Sequence, residues 1–293
     1  MRAATVPTGI SQCGPAALTR HGPLSIDAVA SNDQFLNVHR YGPAGPAQIL
    51  AVHGLTGHGK RWQTLATRHL PGFSILAPDL LGHGRSSWEA PWTLDSNVAA
   101  LAELLARETT RPVVVVGHSF GGAVALKLAV ARPDLVASLV LLDPAVGLDG
   151  AWMANIADDM MASPYYLDRD EARTEKASGS WADVDAGELD AELDEHLVER
   201  PDGRCGWRIS IPAMMAYWSE LARDFVVPHK GIRTTLVRAT RTDPPYVTDG
   251  LIAALEEKLG PRFSLVDFDC DHMVAQAKPA ETAALIRDRL EQA

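Results

Sequence analysis

Five consecutive residues, Gly117-His118-Ser119-Phe120-Gly121, place a hydroxyl where it could act as a nucleophile. Four valines precede them, Val113 to Val116, bounded by Arg111-Pro112, and the run reads as a buried strand. The residues that follow, Gly122 to Ala129, carry Ala, Leu and Lys at helical spacing and stop short of Pro133. Ser119 therefore falls on a sharp strand-to-helix turn, the context of a nucleophile elbow. A β-carbon at 117 or 121 would clash where the strand and helix backbones close on each other. The helix N-terminus beside the serine favours developing negative charge.

A serine hydroxyl is a weak nucleophile at neutral pH and needs a base. The chain has ten histidines, so position must choose among them. With an elbow of this kind the partners follow in the order Ser, Asp, His. Arg262 to Phe268 alternates like a strand, His272 follows in Asp269-Cys270-Asp271-His272-Met273, and a helix follows from Pro279 to Leu290. His272 is the expected base. The acid must orient the imidazole and stabilise the imidazolium. Asp243, just past the strand Ile232 to Arg238, is the expected acid. Asp143, which ends the strand Leu139 to Leu142, is the alternative; the prolines at 244 and 245 and Ala239 make the first loop atypical. Asp249 reads as a helix cap.

The negative charge that forms on a carbonyl oxygen needs backbone N–H donors. The Phe120 amide is one expected donor. The other is the Leu55 amide, in the loop His53-Gly54-Leu55-Thr56-Gly57 after the strand Gln48 to Val52. His53 is expected to support that loop by hydrogen bonding, and Gly54 lets the backbone approach a substrate.

Composition bounds the possibilities. The chain has 293 residues with 37 acids against 27 bases, a net charge of −10, which argues against a nucleic-acid partner. No apolar run approaches the length of a transmembrane helix. The N-terminus has no uninterrupted apolar stretch like a signal peptide, and residues 1–33 read as a poorly ordered extension. Three distant cysteines, Cys13, Cys205 and Cys270, fit a reducing, cytoplasmic setting. Strand-like and helix-like segments alternate from about 35 to 143, the mark of a mostly parallel α/β sheet with helices on both faces.

Taken together, His53-Gly54, Gly117-His118-Ser119-Phe120-Gly121 and Asp271-His272, in that order, resemble the α/β-hydrolase superfamily. Pro78-Asp79-Leu80-Leu81-Gly82-His83-Gly84-Arg85-Ser86 adds a fourth segment, in which the resemblance makes Asp79 and Arg85 ties between turns and Ser86 a turn cap. Within the superfamily the chain is similar to the mycobacterial carboxylic-ester hydrolases called lipases. The resemblance implies an α/β-hydrolase core over 34–143 and 232–293, with a helical cap or lid at 144–231 inserted after the sixth core strand. It implies hydrolysis of a small hydrophobic ester through an acyl-enzyme, without cofactor or metal. Thioester, lactone or carbon–carbon bond hydrolysis by the same triad, or a non-catalytic ligand receptor, are the alternatives. Serine at 119 sets the chain apart from relatives that attack with an aspartate at the elbow.

The segment 144–231 holds four of the seven tryptophans and five of the seven methionines. Met160, Met161, Met214 and Tyr217 are the candidates to line an apolar, adaptable substrate pocket. The acidic run Glu188 to Leu197 reads as a solvated helix face, and His58 as a loop residue with no carboxylate partner in sequence. Asp267, Asp269 and Asp271 alternate along a strand but lack a second histidine at ligand spacing, so they are not read as a metal site. Cys270, two residues from the base, would make activity sensitive to thiol reagents.

Overall fold

The computed structural model describes residues 34–292; the expected N-terminal extension, 1–33, lies outside them. Seven strands form one sheet in the order β1-β3-β2-β4-β5-β8-β9: Val38–Tyr41, Ile75–Pro78, Ile49–Val52, Val113–His118, Val136–Leu142, Arg233–Ala239 and Phe263–Phe268. β1 runs antiparallel to β3 and every other pairing is parallel.

A valine run at the centre of a parallel sheet must be covered on both faces. Alternation assigns the residues to the two covers. Val113 and Val115, with Leu50 and Val52, pack under helices α1 (Leu94–Glu108) and α2 (Phe120–Ala131), against Leu101, Leu105, Val124 and Leu128. Val114 and Val116, with Ile49 and Ala51, face Trp62, Leu65 and residues Ala283 and Ile286 of the C-terminal helix Pro279–Glu291. Each fully buried aliphatic side chain contributes roughly 1.5–3 kcal/mol, so the β4 valines anchor the strand that carries the elbow.

Between β5 and β8 the chain inserts α3 (Gly150–Ala162), α4 (Arg169–Ser178), α5 (Ala186–His196), a two-stranded pair β6 (Leu197–Glu199) and β7 (Cys205–Trp207), and α6 (Ile211–Leu221). Five strands precede this segment among the described residues, one fewer than the family pattern led us to expect. After β8 come α7 (Asp249–Leu259), β9, α8 (Val274–Ala277) and α9, the Pro279–Glu291 helix. Among the described residues no helix is long and apolar enough to cross a membrane.

Candidate active site

β4 and α2 meet at Ser119, which adopts φ 53°, ψ −121°. A β-carbon on Gly117 would stand 2.4 Å from the Gly121 carbonyl oxygen, and one on Gly121 would stand 2.3 Å from that of Val52. Both approaches are closer than a side chain permits, so glycine is required on each side of the elbow. Among the described residues three non-glycines have positive φ: Thr56 (57°), Ser119 (53°) and Asp143 (44°). Such conformations cost about 1–3 kcal/mol and persist where the surroundings fix them, commonly at functional sites. These three fall on the expected oxyanion loop, the expected nucleophile and the alternative acid.

The carboxylate on the imidazole is that of Asp143, whose Oδ2 accepts from His272 Nδ1 at 2.6 Å. Its other oxygen accepts from the Ala239 amide at 3.1 Å, and the residue is fully buried. Asp243, the acid expected first, is exposed and makes no hydrogen bond to His272. The reason lies in the sheet register. His118 pairs with Leu142 across β4 and β5, so Ser119 and Asp143, each one residue further, leave adjacent strand ends together. The Ser119 amide also donates to the Leu142 carbonyl at 3.0 Å. Asp243 stands four residues past the end of β8, beyond that junction.

The loop carrying His272 is fastened to the elbow through His118. Its Nε2–H donates to the His272 carbonyl at 2.8 Å, and the two rings lie 4.8 Å apart. Burial, and His272 beside it, hold the His118 imidazole well below its ordinary pKa, so it stays neutral. The His272 amide donates to Asp271 Oδ1 at 2.6 Å.

The loop carrying Leu55 is fixed from both sides of its peptide. The Gly54 carbonyl accepts from His53 Nδ1–H at 2.8 Å and from the Gly57 amide at 3.0 Å. His53 Nε2 accepts from the Leu80 amide at 2.9 Å, which fixes the tautomer. Burial pushes the His53 imidazole well below its ordinary pKa, with nearby His83 adding to the effect. Because a trans peptide sets N–H opposite C=O, holding the Gly54 oxygen fixes the direction of the Leu55 N–H. A β-carbon on Gly54 would meet Ser119 Cβ at 3.0 Å and His118 Nδ1 at 2.9 Å, so this loop lies directly against the elbow. The Phe120 amide opens α2, where no intrahelical acceptor exists.

Asp79 ties turns as the family resemblance implied. Its buried carboxylate accepts from the Gly59 and Arg85 amides and from Asn37 Nδ2. Burial alone would raise its pKa; His39 and those amides hold it far below the usual range instead. The Arg85 side chain leaves this turn and pairs with Glu195 of α5. Ser86 Oγ accepts from the Asn37 amide and donates to the Asp79 carbonyl. Asp267 and Asp269 are each bridged by an arginine, Arg238 and Arg241. Cys270 is buried, and burial with Asp143 nearby pushes its thiol up to about 11, so the expected thiol-reagent sensitivity has no reactive thiolate behind it.

The four pocket candidates separate. Met214 and Tyr217 are fully buried in the main core, where the Tyr217 ring packs tilted against Phe120 at 4.6 Å. The Tyr217 hydroxyl donates to the Leu81 carbonyl and accepts from Asn97 Nδ2, so the side chain is satisfied as packing. Met160 is partly buried against the same core, and Met161 is 61% exposed.

The acidic run is a solvated face only in part: Asp190 and Asp194 are exposed, but the opposite side of the helix carries a buried acid. Glu192 of α5 is buried and ion-paired to Arg61 at 2.5 Å, Lys176 at 2.8 Å and His58 at 2.8 Å. Burial would raise the Glu192 carboxyl, but those three side chains hold it well below the usual carboxylate range. Two of the residues around this knot reach the oxyanion loop: Arg61 Nη2 and His196 Nε2 both donate to the Thr56 carbonyl at 3.1 Å.

The sequence pattern of the alpha/beta hydrolase family matches residues 49–285. The chain belongs to that family. Lipase LipV of Mycobacterium tuberculosis is 66% identical over 255 residues, which cover 87% of this chain and 97% of that relative. Among solved structures, an E-2-(acetamidomethylene)succinate hydrolase superposes with a TM-score of 0.72 at 22% identity, covering 87% of this chain and 95% of that one. A marine microorganism esterase superposes with a TM-score of 0.68 at 22% identity, covering 88% and 99%. At such identities the two structures establish the shared fold.

Proposed function

We propose that this hydrolase cleaves carboxylic esters through an acyl-enzyme, with Ser119 as nucleophile, His272 as base and Asp143 as the acid that orients it. The observation that carries the reading is the 2.6 Å bond from His272 Nδ1–H to Asp143, made beside a serine held at positive φ. That bond leaves Nε2 as the atom free to take the Ser119 proton as Oγ attacks the carbonyl. The Leu55 and Phe120 amides receive the oxyanion, and each donor of this kind is worth about 3 kcal/mol. His272 then gives its proton to the leaving alcohol, and water activated by the same nitrogen releases the acid. The 66% identity to a protein named as a lipase supports an ester as substrate. In this reading the segment 144–231 serves as a cap, with Met160 as the pocket candidate that is partly buried against the core and still partly accessible. A cytoplasmic setting belongs to the same reading and is supported by the two free cysteines among the described residues, Cys205 and Cys270.

The test is hydrolysis of p-nitrophenyl esters from acetate to palmitate by wild type and Ser119→Ala. We expect turnover with a chain-length optimum in the wild type and a loss of at least about 10³-fold in Ser119→Ala with unchanged folding. Undiminished turnover in the variant, or none on any ester in the wild type, overturns the reading.

A further inference from the structure

One aromatic ring lies face to face with the base. Tyr246, in the loop between β8 and α7, stacks on the His272 imidazole with centroids 3.9 Å apart and planes 20° from parallel. On the inserted segment, Trp152 of α3 packs on Tyr246 at 5.1 Å, so the phenol ring is held between the insert and the base. Burial, with Asp143 and Asp271 nearby, pushes the Tyr246 phenol up to about 12, which keeps the ring neutral at working pH.

The remaining surroundings of His272 show what this ring adds. Asp143, from the end of β5, occupies Nδ1 in the ring plane. His118, from the end of β4, is neutral and meets the imidazole at a tilt of 46°. Asp271, in the base loop itself, accepts from the His272 backbone. Of the two rings beside the imidazole, His118 is tilted and Tyr246 is the one stacked on it. An aromatic face attracts a cation through its quadrupole, so it interacts more strongly with imidazolium than with imidazole. Imidazolium is the form that appears as Oγ bonds to the acyl carbon and its proton moves to Nε2. An interaction stronger in the transition state than in the ground state accelerates the step.

We propose that Tyr246 is a positioning residue for the base, its ring face fixing the imidazole plane and stabilising the imidazolium formed when His272 takes the Ser119 proton. The proposal rests on the triad reading above. It assigns the work to the ring and none to the hydroxyl.

The experiment measures kcat and KM from about pH 5 to 9 for wild type, Tyr246→Phe and Tyr246→Met, on the best ester of the series, with thermal midpoints as a check on folding. Met keeps much of the volume and removes the aromatic face. We expect Tyr246→Met to lower kcat about 10-fold with KM within about twofold, and Tyr246→Phe to stay within about twofold of wild type. Removing a stabiliser of the protonated base should also move the acid limb of the Tyr246→Met rate profile to lower pH, by about half a unit. If Tyr246→Met does not fold, Trp152→Ala, which frees the outer face of the tyrosine, is expected to lower kcat about threefold at constant KM. Wild-type kcat and an unmoved limb in the Met variant, a Phe variant as damaged as Met, or a loss confined to KM would each overturn the proposal. Absence of wild-type turnover, or its survival in Ser119→Ala, would instead overturn the hydrolase reading itself.

Discussion

Among the described residues, two histidine–carboxylate pairs have both partners buried, His272–Asp143 at 2.6 Å and His58–Glu192 at 2.8 Å, and they are built in opposite ways. Asp143 has one histidine and one backbone amide on its oxygens and no cation among its hydrogen-bond partners. Glu192 is saturated by Arg61, Lys176 and His58, each within 2.8 Å. The first pair sits where two parallel strands end beside a strained serine. The second sits where α5 of the inserted segment meets the loop after β2. Its His58 ring stacks on His196, and Thr64, which lines the adjoining cavity of about 260 Å3, donates its hydroxyl to Glu188. A histidine–carboxylate pair can serve catalysis when it leaves a nitrogen to work beside a nucleophile. With its carboxylate consumed by cations, it joins parts of the fold.

The sharpest way to break that comparison is to neutralise each carboxylate in turn. Asp143→Asn should lower kcat by about 10³- to 10⁴-fold, because the wrong tautomer of His272 then faces Ser119. Its thermal midpoint should change little, and Asp243→Asn should stay within about twofold of wild type. Steady-state kinetics on one ester decides it: a larger loss in Asp243→Asn would return the acid to the β8 loop and undo the register argument.

Glu192→Ala should do the reverse and act on stability. It would leave Arg61 and Lys176 buried without their counter-charge, a change that costs about 3–5 kcal/mol, read as a shift of the urea midpoint. Turnover of the folded fraction should fall modestly, since Arg61 and His196 would lose their register on the Thr56 carbonyl. Acid should also act on stability, through buried histidines spread from the elbow to the knot. Burial holds His53, His83, His118 and His196 below their ordinary pKa, His83 at about 4. Unfolded, these imidazoles bind protons near pH 6.5, so the unfolded state takes up more protons as pH falls. Stability from these groups is therefore full above about pH 6.5 and is lost on the way down through the folded-state values, His83 alone accounting for on the order of 3 kcal/mol by about pH 4. A thermal midpoint that stays flat from pH 7 to 4 would contradict the burial of neutral histidines.

The two regions also differ in how much of them could be read from the chain. The elbow is local: strand, glycines, serine and helix lie in one continuous stretch, Val113 to Ala131, and steric necessity ties the residue types to the geometry. His272, the proposed base, is marked in the sequence by its place after the last strand. The proposed acid is marked less well: Asp143 and Asp243 each follow a strand and precede a proline, and the double proline after Asp243 is a weak sign against it. The pairing of His118 with Leu142 is what sets Asp143 beside Ser119. The knot joins Glu192 to His58 and Arg61, more than 100 positions away, and an acidic helix with basic partners elsewhere gives no local signal. One clue was present: Leu189, Glu192, Leu193 and His196 fall at i, i+3, i+4 and i+7, a single helix face. A glutamate and a histidine on an otherwise apolar stripe point inward, and the structure buries all four. Tyr246 had no comparable mark, since it lies in a loop after two prolines and acquires its place only when α3 closes on it.

The smallest expected effect concerns the pocket. Tyr217 and Met161 entered as equal candidates, and the structure buries one completely and leaves the other 61% exposed. Tyr217→Phe removes a hydroxyl that bridges Asn97 and the Leu81 carbonyl, leaving buried polar atoms short of a partner. It should cost about 1–2 kcal/mol of stability without moving the chain-length optimum. Met161→Ser touches little and should change stability by less than about 0.5 kcal/mol. The ester series on these two variants asks where acyl-chain selection resides. A shifted optimum in Tyr217→Phe would mean that the core beneath Phe120 opens to substrate. A shift in Met161→Ser alone would mean that the exposed end of α3 folds over the bound chain. If neither moves, selection belongs to residues nearer His272, with Tyr246, stacked on it, and Trp152 of the insert, packed on Tyr246, as the next pair to vary.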